Sequence, residues 1–89
     1  MKNKIALESL ALDLKRVALG LQRGSQKMSE RFYEETLARK KEINVNEVKP
    51  YIRKLLEQLP STLPTESRFA EDALMYSVLV ENYAQKNIQ

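Results

Sequence analysis

Neither cysteine nor histidine occurs among the 89 residues of this sequence. The chain therefore offers no thiolate and no imidazole, which excludes structural zinc and iron–sulfur sites and the nucleophile–histidine pairs of many hydrolytic enzymes. Disulfide bonds are excluded as well, which fits a reducing compartment. From these absences we expect no metal, no cofactor and no small-molecule substrate.

Long apolar stretches are also missing from the sequence. No run approaches the roughly 20 apolar residues that a membrane-spanning helix needs. The basic start at Lys2 and Lys4 is not followed by the apolar core of a signal peptide, because Glu8 and Asp13 interrupt it. We therefore expect no membrane segment and a cytoplasmic location, in a small protein of bacterial type.

Catalytic and phosphate-binding motifs are absent too. The sequence has neither a Walker loop nor a Gly-x-Gly-x-x-Gly turn. Its adjacent carboxylates, Glu34–Glu35 and Glu71–Asp72, do not converge on one substrate, because neighbouring residues of a helix point roughly 100° apart. We therefore expect a protein that is not an enzyme.

Residues that favour helices dominate what is present. Only 2 glycines and 3 prolines occur, hydrophobic residues make up 43% of the chain, and charged residues make up 30%. This balance is typical of a globular protein rather than a disordered one. The sequence predicts one all-α domain over residues 1–89, a small four-helix bundle-like fold.

The first predicted helix, over residues 3–23, carries the strongest apolar pattern. Its main apolar ridge repeats every three or four residues and consists of Leu7, Leu10, Leu14, Val17 and Leu21. A flanking row repeats every seven residues and consists of Ile5, Leu12 and Leu19. A stripe this wide indicates contact with more than one neighbouring helix.

Two glycines follow in the segment LGLQRG. Gly24 fits a helix C-cap, with Ser25 capping the next helix. Gly20 and Gly24 also fit a small-residue groove that another helix approaches closely. A third interpretation is a single kinked helix over residues 3–42, since Met28 stays in phase with the first ridge. The charged residues at the next in-phase positions favour a break near Gly24.

The second and third helices are predicted over residues 26–42 and 46–59. The second has a narrow apolar face and resembles a solvated helix at the edge of a core. Asn44 or Asn46 is expected to cap the third helix, and Pro50 is tolerated only in its first turn.

The fourth helix is predicted over residues 66–85. The prolines at 60 and 64 define a loop before it, and Thr65 or Ser67 is expected to act as its N-cap. Its apolar positions repeat the spacing of the first helix; they are Phe69, Ala73, Tyr76, Val80 and Tyr83. The simplest packing pairs the first and fourth helices, with the second and third closing the sides.

The two wide stripes suggest a function. A chain this short buries a modest fraction of its surface, so a partner or a second copy would add useful burial. We therefore predict a non-enzymatic helical module for protein–protein interaction or self-association. Its candidate seam consists of Leu14, Val17, Tyr76 and Val80.

Nucleic-acid binding is the alternative hypothesis. Residues 1–59 hold 13 basic and 8 acidic side chains, whereas residues 60–89 hold 2 and 4. A basic patch on the second and third helices would supply contacts to phosphates and bases. Its candidate residues are Arg39, Lys40, Lys41, Asn46, Lys49 and Arg53.

Overall fold

Four α-helices and one 3-10 turn make up the regular structure of the described residues. The structure is a computed structural model that describes residues 2–66 and 68–87, with side chains given for residues 3–66 and 68–86. The elements are α1 (Lys2–Gln22), α2 (Gln26–Glu42), the 3-10 turn (Val45–Glu47), α3 (Pro50–Glu57) and α4 (Phe69–Asn87). Within the described ranges no β-strand occurs, and the predicted all-α fold is confirmed.

The turn between α1 and α2 depends on Gly24. This glycine has φ +76°, a left-handed conformation that only glycine adopts cheaply. The N–H of Ser25 donates to the Gly20 carbonyl at 2.8 Å, and the N–H of Gly24 donates to the Leu21 carbonyl at 3.2 Å. These two bonds define a Schellman C-cap, so α1 and α2 are separate helices and the single kinked helix over residues 3–42 is wrong.

Ser25 stands at the N-cap position of α2, as expected. Its side chain makes no capping hydrogen bond with the residues that the structure describes. The backbone carbonyl instead accepts the N–H of Ser29 at 3.1 Å. Capping by the Ser25 hydroxyl is therefore a prediction that the structure corrects.

Gly20 is the point of closest approach between α1 and α2. A Cβ atom added there would overlap Ser29 Oγ and lie 3.1 Å from Ser29 N and 3.3 Å from the Ser25 carbonyl. Ser29 is fully buried, and its hydroxyl donates to the Val17 carbonyl at 3.1 Å. The small-residue interpretation therefore holds for Gly20, and the approaching helix belongs to the same chain.

Helix α1 forms the centre of the bundle, with α2 and α4 both packed along it. Its buried residues cover about half of its circumference, and its contacts with both α2 and α4 confirm that it has more than one neighbour. The centre of the core consists of side chains with almost no exposure; they are Leu7, Leu10, Leu14, Val17, Tyr33, Ile52, Leu56 and Val80. The flanking row of α1 lies outside this core, since Ile5, Leu12 and Leu19 are 66%, 47% and 37% exposed.

The connector between α2 and α3 differs from the predicted helix over residues 46–59. Asn44 caps the 3-10 turn, since its side-chain oxygen accepts the N–H of Asn46 at 3.1 Å. Lys49 is extended, with φ −64° and ψ 153°. A residue before proline is disfavoured in the helical region, so α3 begins only at Pro50, and it ends at Glu57.

The start of α4 also lies later than predicted. The helix begins at Phe69 rather than at residue 66, and it extends to Asn87. Thr65 is an exposed loop residue and does not occupy the N-cap, whereas Ser67 lies outside the described residues. The preceding loop is held by Tyr33, whose hydroxyl donates to the Pro60 carbonyl at 2.5 Å.

One end of the bundle is closed by hydrogen bonds to the α2–α3 connector. The buried Asn3 side chain donates to the Asn44 carbonyl at 3.1 Å and to Glu47 Oε1 at 3.3 Å. It also accepts the N–H of Asn44 at 2.8 Å. The hydroxyl of Tyr83 accepts the N–H of Lys49 at 3.0 Å. Both α1 and α4 are thereby fixed to the same short segment.

Gly20→Ala is expected to destabilise the fold by about 1–3 kcal/mol, because the added methyl group overpacks the contact with Ser29. Adding Ser29→Ala should recover part of this loss, since the nearest atom is removed while the backbone contacts remain tight. Gly24→Ala is the matched control. It should cost about 1–2 kcal/mol through its left-handed backbone, with no recovery from Ser29→Ala. Urea unfolding measures all four variants, and equal recovery in both backgrounds would contradict this account.

The phenol of Tyr33 provides a second prediction. Burial, and then the neighbouring Tyr76, raise the pKa of Tyr33 from 10.0 to about 12. The neutral form is therefore favoured in the folded state, and stability is lost as pH rises from 10 through 12. Tyr33→Phe should lower stability at neutral pH by about 0.5–1.5 kcal/mol, through the lost bond to Pro60.

The same variant should flatten the decline of stability above pH 10, because it removes the group that must ionise. Ultraviolet titration of tyrosinate, combined with urea unfolding at each pH, measures both effects. An absorbance component near pH 12 that survives in Tyr33→Phe would assign the shift to another tyrosine.

Candidate interaction surface

The outer side of α4 carries a compact group of exposed apolar side chains. Leu74, Met75, Val78 and Leu79 are 40%, 51%, 48% and 41% exposed. Their spacing of one, three and one residues places them on two adjoining turns of one helix face. We call these four residues the α4 outer patch.

The opposite side of α4 supplies the core. Its buried side chains follow the helical repeat; they are Phe69, Ala70, Ala73, Ser77, Val80, Tyr83 and Ala84. Between Ala73 and Val80 the polar side-chain groups are the hydroxyls of Tyr76 and Ser77. The Ser77 hydroxyl donates to the Leu74 carbonyl at 2.7 Å. The middle of α4 is therefore apolar all round, a pattern typical of a helix that is covered on both sides.

The predicted seam lies on the wrong side of these helices. Leu14, Val17 and Val80 are fully buried within the single chain, and Tyr76 is half-buried. The three-four spacing identified a real apolar ridge on α4, but that ridge packs inside the bundle. The exposed apolar side chains of α4 are instead those of the α4 outer patch, which the spacing argument missed. In the sequence, this patch is indicated by a run of residues that is apolar on all sides of the helix. The run follows Glu71 and Asp72 and ends before Glu81.

The predicted basic patch does not form one helix face. Asn46 lies in the 3-10 turn, and Lys49 is the extended N-cap residue of α3, whose carbonyl accepts the N–H of Arg53 at 3.0 Å. The three residues are therefore not on one continuous helix. The recognition-helix arrangement is thus wrong, because Pro50 fixes the start of α3. Helix α3 has 8 residues, a length of about 12 Å.

The remaining candidates of that patch lie at the end of α2. Arg39 is engaged with Glu42, with 3.4 Å between Nη1 and Oε2. Lys40 is half-buried and Lys41 is exposed, at the last turn where cations complement the helix dipole. Both lysines border a groove of about 420 Å³, whose apolar side chains are Leu37, Val45 and Leu59.

A second groove of about 280 Å³ adjoins the first and shares Leu37 with it. Glu30 and Glu34 lie along it, together with Ser61 and Thr62 of the loop before α4. The two grooves therefore carry acidic groups at one end and basic groups at the other. Their side chains supply no thiolate and no imidazole for chemistry.

One buried carboxylate lies between α1 and α2. Asp13 is almost fully buried, and its Oδ1 is 3.8 Å from Arg16 Nη1. Burial raises the pKa of Asp13, and the nearby Glu35 raises it further, whereas Arg16 and Arg39 lower it. The surroundings are those of a structural ion pair, and no group of acidic residues arranged to hold a metal ion occurs in residues 2–66 and 68–87.

Comparison of the chain with protein-family models, with curated proteins and with solved structures gives no match. None of the described helices combines the length and the apolar character required to cross a membrane.

Asp13→Asn is expected to raise the melting temperature at pH 7, because the largest effect on the carboxyl is the unfavourable burial of its charge. The raised pKa means that the folded state prefers the protonated acid. The cost is therefore present above the folded pKa and disappears as pH falls towards 3.8. The gain should shrink accordingly between pH 7 and pH 3.

Calorimetry at several pH values measures this difference. Glu34→Gln, at an exposed position in the middle of α2, is the matched control and should change the melting temperature little at any pH. A lower melting temperature for Asp13→Asn at pH 7 would show that the attraction of Arg16 and Arg39 outweighs burial.

Proposed function

We propose that this chain is a non-enzymatic helical module that binds another protein helix through the α4 outer patch. The observation that carries the proposal is the exposure of four large apolar side chains, each 40–51% exposed, on adjoining turns. Fully burying such a side chain stabilises by about 1.5–3 kcal/mol, so covering the exposed half of all four contributes about 3–6 kcal/mol.

The fold itself does not need this patch. The core side of α4 is filled by residues such as Val80 and Tyr83, and the α4 outer patch makes no part of that core. Polar side chains border it, namely Glu71, Glu81 and Asn82. An apolar centre with a polar rim is the usual anatomy of a protein interface.

The exposed row on α1 is a weaker candidate. Ile5, Leu12 and Leu19 are seven residues apart, about 10 Å along the helix, with polar side chains between them. Apolar residues scattered singly are normal on a protein surface. The partner surface is therefore assigned to α4 rather than to α1.

Nucleic-acid binding stays a prediction without a supporting arrangement of residues. Arg39 is already paired with Glu42, and the helix face proposed for Asn46, Lys49 and Arg53 does not form. The cytoplasmic location likewise stays a prediction that depends on sequence composition.

Met75→Lys combined with Val78→Lys is expected to abolish association, because two charges would have to be buried without partners. Both positions face away from the core, so the double variant should keep its helical circular dichroism. Gln22→Lys with Gln58→Lys adds the same charge at exposed positions elsewhere and should leave association intact.

Association is measured in two ways. Light scattering on the pure protein detects a second copy, and affinity capture followed by mass spectrometry detects a different partner. A folded Met75→Lys/Val78→Lys variant that keeps every association of the parent chain would exclude the α4 outer patch as the binding surface.

A further inference from the structure

We propose that the helix covering the α4 outer patch is α4 of a second copy of this chain, arranged antiparallel about a two-fold axis. The axis passes between Tyr76 and Ser77, at the middle of the patch. This inference rests on the proposed function and adds the identity and orientation of the partner.

The spacing of the patch is its own mirror image along the helix. When two α4 helices run antiparallel about that midpoint, Leu74 of one copy lies level with Leu79 of the other, and Met75 lies level with Val78. Each exposed apolar side chain therefore lies within one turn, along the helix, of apolar side chains of the other copy. An isologous contact of this kind uses one surface patch twice, as in most homodimers.

Polar groups at the two ends of the patch match in the same arrangement. Glu71, Met75, Val78 and Asn82 follow one line of the helix, with steps of four, three and four residues. The antiparallel pairing brings the Glu71 carboxylate of one copy level with the Asn82 amide of the other. The amide can donate to the carboxylate, and this contact occurs twice by symmetry.

Charge selects the antiparallel orientation over the parallel one. The first turn of α4 contains Glu71 and Asp72, and its last turn contains Lys86. A parallel pair would place each acidic first turn beside its own copy, a repulsion between like charges. The antiparallel pair instead brings the acidic first turn of each copy towards the last turns of the other, which hold both Glu81 and Lys86 and so carry no net charge.

The size of the contact sets its strength. One pair of helices in contact over a few turns covers less than the roughly 800 Å² per partner of a standard stable complex. The ordering cost of association is also large for so small an area. We therefore expect a reversible dimer that forms in roughly the micromolar range or above, rather than an obligate one.

Cysteine cross-linking tests the orientation in the full chain, which contains no native cysteine. Glu71→Cys and Asn82→Cys are made in separate chains and mixed under mild oxidation. In the antiparallel dimer the two positions are level, so the mixed pair should form a disulfide heterodimer. Either variant alone should not, because its two copies lie about 16 Å apart along the helix, beyond the roughly 7 Å that a disulfide spans.

The background level of non-specific cross-linking is measured by mixing Gln22→Cys with Gln58→Cys, since both positions are exposed and lie away from the patch. Heterodimer at least several-fold above this background, lost when Met75→Lys and Val78→Lys are added, supports the proposal. Efficient cross-linking of Glu71→Cys or Asn82→Cys alone would overturn the antiparallel arrangement.

Light scattering separates this inference from the proposed function. Two results together would exclude a second copy as the partner. The protein would have a monomeric mass at micromolar concentrations, and the Glu71→Cys and Asn82→Cys mixture would form no more heterodimer than the background. If capture of another protein is then still lost in Met75→Lys/Val78→Lys, the proposed function stands without the dimer. If no association depends on the patch, both proposals fail together.

Discussion

The contact between Gly20 and Ser29 sets the geometry on which the rest of the bundle depends. Because Gly20 has no side chain, the Ser29 hydroxyl reaches the Val17 carbonyl and fixes the register of α2 against α1. Tyr33 then follows one turn later on the same buried face. Its hydroxyl reaches Pro60, and its ring meets that of Phe69 edge to face, with 5.7 Å between ring centroids. The absence of a side chain at Gly20 therefore also determines where the loop and the start of α4 lie.

Helix α4 has more apolar surface than this small core can take. Its core side is filled by α1 and by the aromatic contacts of Phe69 and Tyr83. The remaining apolar side chains, Leu74, Met75, Val78 and Leu79, are exposed on the outer side of the helix. The same excess that makes the helix strongly apolar in sequence therefore makes it the part of the surface best suited to association.

The sequence allowed the fold class, the break at Gly24 and the bounds of α2 to be predicted, because glycine, proline and the three-four apolar spacing act locally. The start of α3 was misplaced, since the effect of Pro50 on Lys49 outweighed the capping pattern around Asn44. The predicted seam consists largely of buried residues for another reason. Periodicity shows that α4 is apolar, but only packing decides that Val80 lies inside while Val78 lies outside.

The hydrogen bonds of Asn3 and Tyr83 close one pole of the bundle. Both side chains hold the connector around Asn44 and Lys49, so the first turn of α1 and the last turns of α4 lie at one pole of the bundle. The turn at Gly24 lies at the other pole, where the N–H groups of Gly24 and Ser25 donate to carbonyls of α1. The two poles are therefore closed in different ways, one by side chains of α1 and α4 and the other by backbone hydrogen bonds.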